Sequence, residues 1–275
     1  MKPVSNPLSL VVIAFAALLV GGCTTLVQVP DETNSASVTR VEAEAGYARV
    51  LEQHVNERGE VAFEALRDDR SNASGLSALE RYVRAIGLAP LDGFASSDAR
   101  LAHMINAYNA LSMYNVIASG IPETHAGLAK VRFFVTRRFL IGGKPLSLYA
   151  FENDIIRKVD EPRAHFALNC SAVSCPILPK RIFTASGLNE ELDRETRAFF
   201  ARPENLRVDD TARTIFFNEI LSFYTGDFAP RHAPTLIDYA ARYVSRDLPR
   251  DYATAFTPYD WTIANQRRTQ SSGGR

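Results

Sequence analysis

The sequence predicts an α+β fold: a predominantly helical domain packed on a small, mainly antiparallel sheet with hairpins. Apolar residues at helical spacing fill most of the chain, and short β-branched and aromatic runs flank turn residues in pairs. The two kinds of segment do not follow the regular strand-helix order of a doubly wound sheet. With 275 residues and 46% hydrophobic content, the chain can bury one sizeable core. Its 31 basic and 31 acidic residues cancel, and no Lys/Arg cluster with interleaved aromatics stands out, so nucleic acid is not an expected partner.

Residues 1–22 differ in kind from the rest. Lys2 supplies positive charge, "LSLVVIAFAALLV" an apolar run, and "VGGC" small residues before Cys23, the pattern of a secretory signal peptide. The run Leu8 to Val20 is short for a bilayer-spanning helix, which needs ~20 residues. Val20-Gly21-Gly22-Cys23 resembles the lipobox of bacterial lipoproteins. That resemblance implies lipidation of Cys23, palmitate-type acyl chains contributing ~0.8 kcal/mol per buried methylene, and a membrane partner held through the lipid. Thr24, where inner-membrane lipoproteins would carry aspartate, places the expected location in the bacterial envelope, at the outer membrane facing the periplasm in a Gram-negative cell. Residues 23–39 read as the lipidated cysteine and a flexible tether, residues 40–265 as a single globular domain, and 266–275 as a disordered tail.

Within the domain, "VEAEAGYARVLEQHV" and "LSALERYVRAIG" place Tyr47, Val50, Leu51 and Val55, and Leu76, Leu79, Tyr82, Val83 and Ile86, on helical faces. A longer helix starts at Ser96 or Ser97, either of which can cap it, and runs to Gly120; it is apolar around most of its circumference and so is expected to be central. "VRFFVTRRFLIGGKPLSL" predicts a hairpin about Gly142-Gly143, after which Ser147 can cap "LYAFENDIIRKV". "AHFALN" suits a buried strand, although six residues leave a helical piece open. "NEELDRETRAFFA" predicts a helix, "NLRVDDTARTIFFN" a second hairpin around Asp209-Asp210, and "PTLIDYAARYV" a late helix opened by Pro234.

Five segments together resemble the domain family of unknown function DUF547: "MINAYNALSMYNVI", "IGGKPLSLYAFENDIIR", "RAHFALNCSAVSCPILP", "IFFNEILSFYTGDF" and "PYDWTIAN". They occur in the family's order and span roughly Ala45 to Asn265. The resemblance assigns a family but implies no activity. The chain departs from it at His103, where relatives carry a bulky aromatic or aliphatic residue, which argues against a catalytic His103.

The chemistry-bearing stretch is "RAHFALNCSAVSCP", Arg163 to Pro176, with one of the five histidines and two of the three cysteines. A thiolate nucleophile needs a base and a group to orient that base. His165 is the candidate base and Cys170 or Cys175 the nucleophile; in a strand, His165 and Asn169 would share one face while Cys170 took the other. Asn106 and Glu152 are candidates to orient the base or stabilise a transition state, with bridging of buried backbone and complementing a helix dipole as their structural alternatives. With Cys23 acylated, the remaining pair in an oxidising compartment equally fits a Cys170-Cys175 disulfide. His165, Cys170 and Cys175 also offer three zinc- or copper-type ligands, but no fourth is evident, and no metal or other cofactor is expected. His125 and His232 are too scattered to assign, and Trp261 reads as a plug over the core. Two functions therefore stand side by side: a thiol hydrolase or amide-transfer enzyme acting on a peptide or other envelope component, and a non-enzymatic binding or scaffold module clipped by the disulfide.

Overall fold

The computed structural model describes residues 24–30, 38–71 and 73–266. The signal segment, Cys23 and nearly all of the expected tail lie outside the described residues. In chain order the elements are β1 (Thr25–Leu26), α1 (Arg40–His54), α2 (Phe63–Asp68), α3 (Leu76–Leu88), α4 (Ser97–Ala118) and α5 (Leu128–Val131), followed by β2 (Arg137–Ile141), β3 (Lys144–Ser147) and α6 (Leu148–Phe151). Then come α7 (Leu188–Phe200), β4 (Leu206–Asp209), β5 (Thr214–Asn218), α8 (Ile220–Phe223), α9 (Thr225–Phe228), α10 (Leu236–Ala240) and β6 (Ala253–Thr257). The α+β class holds.

Local chemistry accounts for the long helices. Thr39 and Glu42 close a capping box at the start of α1, satisfying two amides that the first turn leaves without helical partners. The Ser96 side chain accepts from Ala99 N–H at the start of α4, and α4 is buried almost continuously from Leu101 to Val116. Ser147 caps α6 through Ala150 N–H as its position predicts. The late helix begins differently from expectation: Thr235, one residue after Pro234, is its cap and accepts from Asp238 N–H.

The sheets need correcting. Among the described residues there are two three-stranded sheets, β1-β2-β3 and β4-β5-β6, and both are mixed. The predicted hairpins β2–β3 and β4–β5 are present and antiparallel, but β1 pairs parallel with β2 and β6 parallel with β5. β6 is exposed along most of its length, so it lacks the apolar alternation that marks a half-buried strand. β1 lies in the stretch expected to be tether; Val27 N–H donates to Arg138 O, and Tyr114 O–H to Gln28 O. Upstream of β2, the aromatic run Arg132–Thr136 is a π-helical turn, not strand.

"AHFALN" is not a strand either. Pro162 sits in the first turn of a 3-10 helix, Pro162–Phe166, whose N-terminal Glu161 side chain accepts from Arg163 N–H. Proline's fixed φ and missing N–H suit a helix start, and the strand-based placing of His165 and Asn169 on one face falls with it.

The buried apolar residues form two clusters. The larger gathers α1, α3, α4 and the β2 region, and includes Ala164, Ala167 and Leu168; the second gathers α7, β5 and α8–α10, and includes Phe166, Cys170 and Cys175. The segment 164–175 thus contributes to both cores. Phe166 is fully buried among Phe199, Phe200, Phe228 and Tyr239, with ring centroids 4.7 to 6.4 Å apart. Phe166→Ala is expected to lower unfolding free energy by about 3–5 kcal/mol in urea denaturation, the range for a buried aromatic truncated to a cavity; a loss below about 1 kcal/mol would show that the second core does not depend on Phe166.

Candidate functional site

The site is built on α4. Its buried polar residues recur every third position, and each takes hold of a neighbouring loop. Asn106 donates to Phe183 O at 2.8 Å and accepts from Phe183 N–H at 2.8 Å. Asn109 donates to Ala167 O at 3.0 Å and accepts from Asn169 N–H at 2.8 Å. Ser112 Oγ lies 3.3 Å from Ser171 Oγ, and Asn115 donates to Phe133 O at 3.0 Å.

Asn169 continues the chain of contacts by donating to Pro176 O and accepting from Ser171 N–H, at 2.7 and 2.8 Å. Ser171 adopts φ 64°, a left-handed conformation unusual for a residue with a β-carbon. That reversal turns the loop so that Cys170 and Cys175, with Cα atoms 6.3 Å apart, form a disulfide. Cys170 N–H and Tyr259 O–H both donate to Cys175 Sγ at 3.0 Å, whereas Cys170 Sγ has only a 3.6 Å contact with Tyr259 Oη. The two sulfurs are therefore inequivalent. Burial pushes the Tyr259 hydroxyl well above its ordinary pKa, so it stays a donor.

His165 is buried, and its Nε2 lies 2.8 Å from Asp227 Oδ2. A carboxylate can only accept, so Nε2 carries a proton and Nδ1 is the basic nitrogen of the neutral ring. Asp227 is held by Arg157 in a bidentate pair, at 2.6 and 2.8 Å. Burial alone would raise the Asp227 pKa, but the hydrogen bonds and charges of His165 and Arg157 hold it well below the usual carboxylate range. Tyr224 stacks on the imidazole at 4.2 Å between centroids.

His165, Cys170, Cys175 and Glu152 line one pocket of about 50 Å³, together with Tyr108, Tyr224, Tyr259, Trp261 and neighbouring apolar side chains. Of the five catalytic candidates His165, Cys170, Cys175, Asn106 and Glu152, Asn106 is the one that does not reach it; both ends of its amide face the Phe183 backbone. Glu152 accepts from Tyr108 O–H at 2.9 Å. The group oriented toward His165 is thus Asp227, and not Glu152 or Asn106. Asp227, Arg157 and Tyr259 escaped the sequence reading, although "YTGDF" and "PYDWTIAN" were among the family-like segments. Only folding brings Asp227 across 62 residues to His165. Trp261 forms a wall of the pocket, and its segment pairs with the cysteine loop through Val173 N–H to Thr262 O and Ala264 N–H to Ser171 O. Asp260 accepts locally from Thr262 N–H.

Among the described residues no group of three or more His, Cys, Asp or Glu side chains is placed to hold a metal ion, and both sulfurs of the His165-Cys170-Cys175 set are taken by the disulfide. His103 is buried beside Glu44 and Phe94, and His232 contacts Asp160, both away from the pocket lining.

His125 braces the loop from behind: its Nε2 donates to Cys170 O at 3.0 Å, and its ring packs on Phe133 at 3.8 Å between centroids. Burial pushes its pKa from 6.5 down to about 4, against the opposing pull of the hydrogen bond to Cys170. The folded state resists protonation, so the stability His125 contributes is complete above about pH 6.5 and is lost as pH falls from 6.5 toward 4. Denaturant titrations over that window should show a loss on the order of 3 kcal/mol, and His125→Gln, which retains a donor, should flatten it; an unchanged pH profile in that variant would assign the loss to other groups.

Comparison with known proteins returns no matching curated protein and no matching solved structure. Residues 93–200, which carry α4, Glu152, Arg157, His165 and both site cysteines, do match the sequence model of the family described as "Protein of unknown function, DUF547".

Proposed function

We propose that the pocket is a thiol acyl-transfer site, a hydrolase or amide transferase, with Cys175 as nucleophile, His165 as base and Asp227 as the group that orients the base. One observation carries this reading: Cys175 Sγ receives two hydrogen bonds in a pocket that also holds a carboxylate-oriented histidine. A purely structural bridge gains little from donors aimed at its sulfur, whereas a thiolate is stabilised by them and becomes nucleophilic near neutral pH. Nucleophile, base and orienting acid are the three roles that covalent acyl transfer requires.

The disulfide is then the resting form. A dithiol reductant supplies two electrons and two protons, opens the S–S bond and leaves with its own disulfide. His165 Nδ1 takes the Cys175 proton, the thiolate adds to an amide or ester carbonyl, and Cys170 N–H and Tyr259 O–H are the donors near the developing charge. Collapse of the adduct forms a thioester and expels the amine or alcohol, which takes the proton back from the imidazolium. Water or an acceptor amine then releases the acyl group. A peptide or other envelope component fits this chemistry.

The test is alkylation kinetics on the full chain. Without reductant neither cysteine should react with iodoacetamide under native conditions. After mild reduction Cys175 should react at least tenfold faster than Cys170 near pH 7, and His165→Ala or Asp227→Asn should slow it by a similar factor without unfolding the protein. Equal, slow rates for both thiols and no effect of His165→Ala would favour the second reading, a binding or scaffold module, which the closed Cys170–Cys175 bridge supports.

The lipid anchor belongs to the same proposal and rests on the sequence around Cys23. Among the described residues no helix is long and apolar enough to cross a membrane. Radiolabelled palmitate should enter the wild-type chain but not Cys23→Ser, and that variant should move from the membrane fraction to the aqueous one; labelling that survives the substitution would remove the anchor from Cys23.

A further inference from the structure

The pocket has a chemical bias that acyl transfer leaves unused. Glu152 lines it with only 6% of its surface exposed; it accepts from the Tyr108 hydroxyl at 2.9 Å, and Tyr224 lines the same pocket. Among the described residues no Lys, Arg or His lies within ion-pair distance of this carboxylate. Arg157 acts on it only from further off while paired with Asp227. Both phenols are neutral, because burial first and the Glu152 charge second push their pKa values well above 10. A buried carboxylate with phenol partners alone lacks compensating charge, an arrangement that leaves it attractive to any cation able to enter.

The walls share that preference. Phe134, Phe223, Tyr224, Tyr259 and Trp261 line the pocket, with Tyr259 and Trp261 centroids 4.4 Å apart and Phe223 and Trp261 6.1 Å apart. Aromatic faces attract cations through their quadrupoles, most strongly where water is excluded. The same wall already accepts an ammonium: Lys130 Nζ sits 3.7 Å from the centre of the Trp261 ring. A volume of about 50 Å³ admits a narrow group and no bulky one.

From the buried carboxylate, the aromatic walls and the narrow volume we infer that the pocket recognises a primary ammonium group on its substrate, with Glu152 as the counter-charge. The substrate class is an amine-bearing peptide or aminoacyl amide whose cationic end enters the pocket beside Cys175. This rests on the thiol acyl-transfer reading for what happens after binding, but the recognition itself needs no free thiol.

The chain has a single tryptophan, and it is in the wall, so its emission reports occupancy without a label. The full-length, oxidised protein is titrated with n-butylammonium chloride, with n-butanol and with sodium butyrate at constant ionic strength. The expected result is a saturable change with n-butylammonium at least tenfold tighter than with n-butanol, and no saturable response to butyrate. Glu152→Gln should weaken n-butylammonium at least tenfold and leave n-butanol unchanged, with circular dichroism checking its fold. Equal binding of n-butanol and n-butylammonium by the wild-type chain would overturn the proposal, as would the absence of a saturable response to either; both outcomes are read on the wild-type chain and do not require the substituted protein to fold. Because no thiol takes part, failure here with fast Cys175 alkylation would remove the substrate class alone, and success here with inert thiols would remove the acyl-transfer reading alone.

Discussion

The rest of the site depends on the row Asn106, Asn109, Ser112 and Asn115, polar side chains on a helix that is otherwise packed in hydrocarbon. Irregular backbone inside a protein must find partners for its N–H and C=O groups, and each one left bare costs about 1–3 kcal/mol. The segments about Phe183, Ala167 to Ser171, and the π-helical Phe133 lie against this helix outside both sheets. The row does what a sheet would do: its three amides stand in for missing backbone partners, and the Ser112 hydroxyl meets the Ser171 side chain. A regular helix thereby fixes the position of irregular chain, and the reactive groups on that chain inherit its rigidity.

The neighbourhood is held by opposed demands. Packing draws residues of segment 164–175 into two different cores, while hydrogen bonding pulls its backbone toward α4 and toward the segment carrying Tyr259 and Trp261. Neither could be relaxed without disturbing the other, and the left-handed Ser171 sits where the two meet. Charge is treated in the same way. Arg157 neutralises Asp227, which leaves the histidine oriented and not simply ion-paired, while Glu152 is stabilised by phenols that offer protons without offering charge.

The sequence showed what depends on local chemistry. Ser96, Ser147 and the Gly142-Gly143 turn act where their types and spacings put them, because a cap or a tight turn is decided within a few residues. Legibility failed where a distant partner decides. β1 and β6 are short or exposed and exist as strands only because β2 and β5 offer them an edge. The π-helical Arg132–Thr136 has strand-like composition, yet Asn115 holds the Phe133 carbonyl from α4. In the site, His165, Glu152 and the cysteines stood out by residue type and do share a pocket, but a rule based on strand alternation could not find Asp227. Asn106 was conspicuous for the same reason of type, and its amide serves backbone.

The docking of β1 bears on how an anchored domain would move. Only Thr24 separates Cys23 from the residues that pair with β2, and Gln28 is held by Tyr114 a few residues on. Had these residues been a leash, an anchored domain could sweep a volume set by the length of the leash. Docked as they are, a lipid on Cys23 would instead hold the domain flush against the bilayer, limited to tilting and to diffusion within the plane. Encounters would then be decided by surface density and by which side of the domain faces away from the lipid, and a partner deep in the aqueous space would have to come to it.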